Sequence, residues 1–402
     1  MQPEAGVTTM PSPFNPSALS GETSKRSVYF ADCTLRDGEQ QAGVVFNRRD
    51  RLAVARALDD LGVHEIEAGT PAVSPDDAKA IGAIVDEGLN AHISVLCRAL
   101  PKDIDLAMSL GAWGVRISFP ASKLERQHKF KGLGDEESIE RALSIAEYAK
   151  NAGAYVVFSP YDTTRADVSF LEKLIPALSD AGTVDRFRVV DTTGCATPDG
   201  IASLIGMMKG WGPVPLEIHC HNDFGLATAN AIAGVLAGAD FVSSTMNGIG
   251  ERSGNSSTEE VALALECLHD ISTGMDLSQL TRVSQLVTRL SRVPMSPNKA
   301  VVGANAFSHE SGMSVAAVIK DPFTAEAYAP ELVGQERKIV IGKMSGMASV
   351  EYKANQLGIT VDPAHLPLLL EKVKSKSIRA RRTLTDVEFL ALCEAVAGVG
   401  AR

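Results

Sequence analysis

His219 and His221 stand two residues apart around Cys220, in the run Leu216-Glu217-Ile218-His219-Cys220-His221-Asn222-Asp223. Residues two apart on an extended strand project to the same side, so both imidazoles can offer a nitrogen to one ion while Cys220 points the other way and packs. A second dense set of ionisable groups runs from Asp32 to Gln40 (Asp32-Cys33-Thr34-Leu35-Arg36-Asp37-Gly38-Glu39-Gln40), far richer in charge than a simple turn needs. If the strand before it lies close to the histidine strand, Asp37 completes a two-His, one-carboxylate site with open positions for substrate and water. Mixed nitrogen and oxygen donors without thiolate suit Mg, Mn, Zn, Co or Fe(II), and the spacing does not choose among them. In Asn247-Gly248-Ile249-Gly250-Glu251-Arg252-Ser253-Gly254-Asn255, three glycines permit close approach of backbone to ligand, and Asn255 can add a carbonyl ligand to the ion.

These groups need elements that hold them at one place. Short β-rich runs alternate with stretches of helical period, the pattern of parallel strands joined by crossover helices. The strands are expected at Val28 to Cys33, Val63 to Ala68, His92 to Cys97, Gly114 to Ser118, Tyr155 to Ser159, Phe187 to Asp191, Leu216 to His221 and Phe241 to Thr245. Eight such units predict a (β/α)8 TIM barrel. A doubly wound sheet fits less well, because no G-x-G-x-x-G follows the first strand. Polar clusters recur after many strands instead, among them Glu65-Ile66-Glu67-Ala68-Gly69, Ser159-Pro160-Tyr161-Asp162 and Asp191-Thr192-Thr193-Gly194. Barrel active sites are built at those strand ends. The two histidines and Asp37 then sit on strands seven and one, separated only by strand eight in a closed barrel.

The 402 residues carry 39 Lys plus Arg against 49 Asp plus Glu, a net charge of −10 that argues against a nucleic-acid partner. Six scattered cysteines with no C-x-x-C pair fit reduced thiols in a cytoplasmic protein. No apolar run approaches the roughly 20 residues of a membrane span. Residues 1–26, rich in Pro, Ser, Thr and Gly, are expected to form a flexible arm. Residues 27–270 are expected to form the barrel, and 271–402 a helical linker and a small mixed C-terminal subdomain that completes the site.

The motifs D-x-T-L-R-D-G-E-Q at Asp32 to Gln40, I-E-x-G-x-P at Ile66 to Pro71, H-x-H-N-D at His219 to Asp223 and N-G-x-G-E-R-x-G-N at Asn247 to Asn255 resemble those of the DRE-TIM metallolyases. Beyond the barrel, Asn298 to Gly312, Pro330 to Gly334 and Gly342-Lys343-Met344-Ser345-Gly346 resemble the homocitrate synthase and 2-isopropylmalate synthase branch. The resemblance implies a metal-dependent Claisen-type condensation of acetyl-CoA with a 2-oxo acid, followed by thioester hydrolysis. The divalent ion would be Mg, Mn, Zn or Co, held by Asp37, His219 and His221, with Arg36 stabilising the alkoxide. Gln40, Glu67, Ser159 and Thr192 would line the oxo-acid pocket. A homodimer is implied, with the C-terminal region contributing in trans.

Two departures qualify that transfer. Where the branch carries a His and a Tyr that handle the acetyl methyl proton, this chain has Ser314 and Ala325; where homocitrate synthases have a Glu after strand five, it has Tyr161. His309 and Tyr328, with Glu310, are the candidate replacements. For the distal group of the oxo acid, a carboxylate or a phosphonopyruvate-type phosphonate, Arg98, Lys123 and Arg126 are the candidate partners. The basic run Lys372 to Arg382 is read as a solvated helix face or subunit contact rather than a CoA-phosphate site. Two further readings stand beside the synthase: a CoA-independent aldolase or lyase, and an inactive metabolite-binding paralogue.

Overall fold

The computed structural model describes residues 8–15, 26–130 and 132–397. Eight parallel strands close into a barrel in sequence order: β1 (Tyr29–Asp32), β2 (Glu65–Glu67), β3 (His92–Arg98), β4 (Gly114–Pro120), β5 (Tyr155–Tyr161), β6 (Arg186–Asp191), β7 (Leu216–Cys220) and β8 (Phe241–Ser244). Each lies within two residues of the run expected from the sequence. β8 pairs with β1, Asp32 opposite Ser244, and β7 pairs with β8, His219 opposite Ser243. Closure therefore places the Asp37 loop and the histidine strand on either side of β8.

Local chemistry sets the helix limits. The helix Arg48–Leu61 after β1 starts at Asn47, whose side chain accepts from the amides of Arg49 and Asp50 while Asp50 returns the bond to Asn47. It ends at Gly62, at φ 88°, where any larger residue is strained. Two helices follow β4: α1 (Lys123–Lys129), capped by Ser122, and α2 (Asp135–Asn151).

The barrel interior differs from the branched apolar layers usual in this fold. Glu65 and Glu67 on β2, Arg116 on β4, Arg186 and Arg188 on β6 and Glu217 on β7 are all buried. Arg116 pairs with Glu65 at 2.5 Å and with Glu217 at 2.6 Å; Arg188 pairs with Glu217 and Glu67, each at 2.6 Å; Arg186 pairs with Glu65 and with Glu217. Strand alternation sends these residues inward, and each guanidinium meets carboxylates from other strands.

The chain divides into two compact units, Phe14–Met295 and a second formed by Met1–Pro13 with Ser296–Arg402. The division falls later than residue 270, because the helix Leu280–Ser291, expected in the linker, belongs to the same unit as the barrel. In the second unit, Ser308–His309 pairs in parallel with Lys338–Ile339. Ile341, Val350, Leu369, Val373, Phe389 and Val396 form a core among the helices Met347–Gln356, Leu366–Ala380 and Asp386–Ala397. Of the arm expected over residues 1–26, 1–7 and 16–25 lie outside the described residues. Within the rest, Thr9 bridges Tyr328, and the Met10 amide donates to the Ala327 carbonyl at 2.8 Å. Among the described residues, no helix is long and apolar enough to cross a membrane.

Candidate active site

Asp37, His219 and His221 each present a ligand atom, all within 4.8 Å of one another, at the C-terminal ends of the barrel strands. Asp37 Oδ2 lies 3.6 Å from His219 Nε2 and 3.9 Å from His221 Nε2. Ligands about 2.1 Å from one ion stand roughly 3–3.5 Å apart, so both Asp37–histidine separations lie a few tenths of an ångström outside that range. His219 is aimed by its other nitrogen, Nδ1, which lies 3.0 Å from Ser243 Oγ on the neighbouring strand. Burial, reinforced by His219, pushes His221 down to about 4, and burial lowers His219 as well. Both imidazoles are therefore neutral near pH 7, with lone pairs to give. Burial opposes the charged form of Asp37, yet the Arg36 guanidinium and the two imidazoles outweigh it and hold the carboxyl well below the usual range.

The glycine-rich loop wraps the far side of this carboxylate. Asn255 Nδ2 donates to Asp37 Oδ1 at 2.8 Å and the Glu251 amide at 3.3 Å, which leaves Oδ2 toward the histidines. Gly250, at φ 157°, is required here, because a Cβ would collide with Asn255 Nδ2 and approach Asp37 Oδ1 to 2.9 Å. Among the described residues, Asn255 Oδ1 is buried without a hydrogen-bond partner. Neutral imidazoles, an ionised carboxylate and an orphaned amide oxygen together fit a divalent cation.

A cavity of about 560 Å³ opens over the cluster, lined by Arg36, Asp37, Gln40, Arg98, Ser159, Tyr161, Thr192, His219 and His221, among others. Arg36 is held rigidly: Nε and Nη2 donate to Glu67 at 2.7 and 3.1 Å, and Nη1 to Asp37 at 2.5 Å and Gln40 at 3.4 Å. Ser159 Oγ is buried and has no hydrogen-bond partner among the described residues. Thr192 Oγ1 accepts from the Asp162 amide at 2.7 Å and keeps its proton to donate.

Several expected residues stand elsewhere or act differently. Glu67 is fully buried and lies outside the cavity wall. Burial would raise it, but Arg188 and Arg36 hold its carboxyl at about 2, so it orients Arg36 and is no proton acceptor near neutrality. Arg98 reaches the wall with its guanidinium engaged by Asp103 at 2.7 and 2.8 Å. Lys123 and Arg126 do not line the cavity. Arg126 is turned inward on α1, over the Phe170 ring at 3.8 Å and paired with Asp135 at 2.6 Å. Glu125 and Lys129, four apart on that helix and paired with each other, reach the wall instead, as do Arg141 of α2 and Arg188 of β6. The pattern of alternation on β6 was the available sign of Arg188; helix phase hid Lys129 and Arg141.

His309 and Tyr328 lie in the second unit. His309 Nε2 is 3.0 Å from Glu326 Oε1, and Arg337 grips Glu326 through two bonds of 2.6 Å. Tyr328 stands edge-on to Phe307, ring centroids 5.4 Å apart. Glu310 accepts from the Met344 amide at 3.0 Å, Ser314 sits in the helix Gly312–Val318, and Ala325 follows a short 3-10 turn.

Residues 27–287 match the model of the HMGL-like family, and residues 301–381 match that described as homocitrate synthase post-HMGL domain-like. Homocitrate synthase AksA of Methanothermobacter thermautotrophicus is 40% identical over 387 residues, 96% of this chain and 98% of that protein. The "Probable 2-isopropylmalate synthase" of Ignicoccus hospitalis is 44% identical over 355 residues, 88% of each chain. Among solved structures, the HMG-CoA lyase of Bacillus subtilis superposes with a TM-score of 0.60 at 20% identity, over 68% of this chain and 97% of that one, a likeness of fold.

Proposed function

The chain belongs to the HMGL-like family, in its homocitrate synthase and 2-isopropylmalate synthase branch, and as an acyltransferase of that branch we propose that it condenses acetyl-CoA with a 2-oxo acid in a divalent-metal-dependent reaction. The observation that carries this reading is the Asp37–His219–His221 cluster beside an immobilised Arg36 in one cavity. When bound there, with Asn255 close by, a divalent ion supplies Lewis acidity at the ketone of the oxo acid.

The chain's own residues do the rest. Arg36, fixed by Glu67, directs a permanent positive charge to the oxygen on which negative charge develops as the new carbon–carbon bond forms. Ser159 and Thr192 donate hydrogen bonds to the substrate's oxygens, and Gln40 lines the wall beside Arg36. A base removes one methyl proton from the acetyl group, and water then cleaves the thioester, releasing free thiol and a 2-hydroxy acid. His309 is the proposed base: with Nε2–H donated to Glu326, Nδ1 holds the lone pair. Tyr328 is the second candidate. A homodimer belongs to the same proposal and is checked by light scattering.

Ser314 and Ala325 favour a second reading, a CoA-independent aldolase or lyase on the same metal site. One experiment separates the two: metal-loaded protein is incubated with acetyl-CoA and a panel of 2-oxo acids while free thiol is followed. Thiol release with one acid supports the condensation. Silence across the panel, with pyruvate released from hydroxy-oxo acids, supports the aldolase. His219→Ala is expected to lower either activity by more than about 100-fold and to reduce bound metal from one equivalent toward zero. An active, metal-poor His219→Ala enzyme would remove the metal site from the mechanism.

A further inference from the structure

Five lysines and arginines line the barrel-mouth cavity: Arg36, Arg98, Lys129, Arg141 and Arg188. Four have carboxylate partners. Arg36 pairs with Glu67 and Asp37, Arg188 with Glu67 and Glu217, Arg98 with Asp103, and Lys129 with Glu125 at 3.0 Å. Arg141 has none within ion-pair reach among the described residues; its guanidinium carbon lies 4.2 Å from the centroid of Phe130, itself part of the wall. A guanidinium does not shed its proton, and stacking on an aromatic face restrains it while its N–H donors stay in the plane of the group. Lys129 Nζ sits 4.7 Å from the ring centroid of Tyr161, so a second cation borders the same cavity. Tyr161 and Ser159 stand two apart on β5 and line the wall together, and the buried Ser159 hydroxyl has no hydrogen-bond partner among the described residues.

We propose that Arg141, with Lys129 beside it, forms an anion subsite in this cavity, and that the oxo acid taken there carries a second anionic group at its far end. The inference rests on the condensation reading and goes beyond it in naming the substrate class. The 2-oxo-carboxylate end is matched by the metal cluster and Arg36. Among the described residues, Arg141 is then the one wall cation whose charge no carboxylate balances, and a distal carboxylate or phosphonate supplies the missing acceptor through paired N–H···O bonds. An oxo acid ending in an alkyl group leaves that guanidinium unmatched and gains nothing from it.

The test reads binding separately from turnover. Calorimetry on the metal-loaded full chain compares 2-oxoglutarate, oxaloacetate and phosphonopyruvate with pyruvate, 2-oxobutanoate and 2-oxoisovalerate, for the wild type and for Arg141→Gln, with circular dichroism confirming that the variant is folded. The expected result is at least tenfold tighter binding of one dianionic acid by the wild type. Arg141→Gln should abolish that preference and leave the monoanionic acids within about twofold. Which dianion binds tightest distinguishes a carboxylate from a phosphonate terminus. Equal binding of the two classes by the wild type, or a preference that survives Arg141→Gln, overturns the subsite. Thiol release from the same panel reports on the condensation alone, so a failure of either inference is seen independently of the other.

Discussion

Asp37 divides its two oxygens between two tasks, and that division rests on one glycine. Oδ1 takes hydrogen bonds from Asn255 and the Glu251 amide, while Oδ2 faces Arg36 and both histidines. Gly250 permits this because its backbone lies in a region that side-chain-bearing residues rarely enter, with no room for a Cβ beside Asn255. Gly250→Ala is accordingly expected to weaken divalent-metal binding about tenfold or more, at a stability cost of roughly 1–3 kcal/mol. Calorimetric titration with Mn(II) checks it; an unchanged affinity would mean that the loop does not set the carboxylate. At this scale the sequence was most informative where alternation on a strand decides direction: His219 and His221 both line the cavity. It was least informative for α1 and α2, where a shift of one helical position exchanges wall for interior. Arg126 turned inward to Phe170 and Asp135, whereas Lys129, three residues on, reached the mouth.

Strands β2, β4, β6 and β7 carry a buried network whose acidic members were visible in the motifs but whose pairing was not. Glu65, Glu67 and Glu217 meet Arg116, Arg186 and Arg188 only through the stagger of a closed barrel, which short-range pattern does not reveal. Removing one partner leaves uncompensated buried charge, so Arg116→Met should cost about 3–5 kcal/mol in urea unfolding. Acid should act on the same network. Burial favours the neutral form of Glu67, but Arg188 and Arg36 reverse this and bring the carboxyl from its ordinary 4.5 down to about 2. A depressed carboxylate contributes stability that is fully present above the unfolded value and is lost as pH falls toward the folded one, here about 3 kcal/mol drained between roughly pH 5 and 2. Glu65 and Glu217 move in the same direction. The urea midpoint should therefore fall steeply below about pH 4.5, and less steeply in Glu67→Gln. Equal acid sensitivity of the two proteins would remove Glu67 from the account.

The division of the molecule was the coarsest feature to read and the one displaced furthest. Eight strands and their order follow from the alternation of patterns along the chain, but the end of the barrel does not. The helix Leu280–Ser291 resembles a linker helix in sequence, yet its buried face of Leu280, Val283 and Val287 belongs to the unit that ends at Met295. That unit holds the closed sheet and its own core. It also holds every residue of the metal cluster, together with Asn255, Arg36 and the cavity wall. Ligation at this site is thus a property of one compact unit, and a chain of residues 14–295 should be able to express it. Such a fragment is expected to unfold cooperatively and to take up close to one equivalent of a divalent ion, with an affinity within about tenfold of the full chain. His221→Ala in the same fragment should abolish uptake. A folded fragment without uptake would show that the three ligands are insufficient by themselves, and that residues beyond Met295 belong to the metal site.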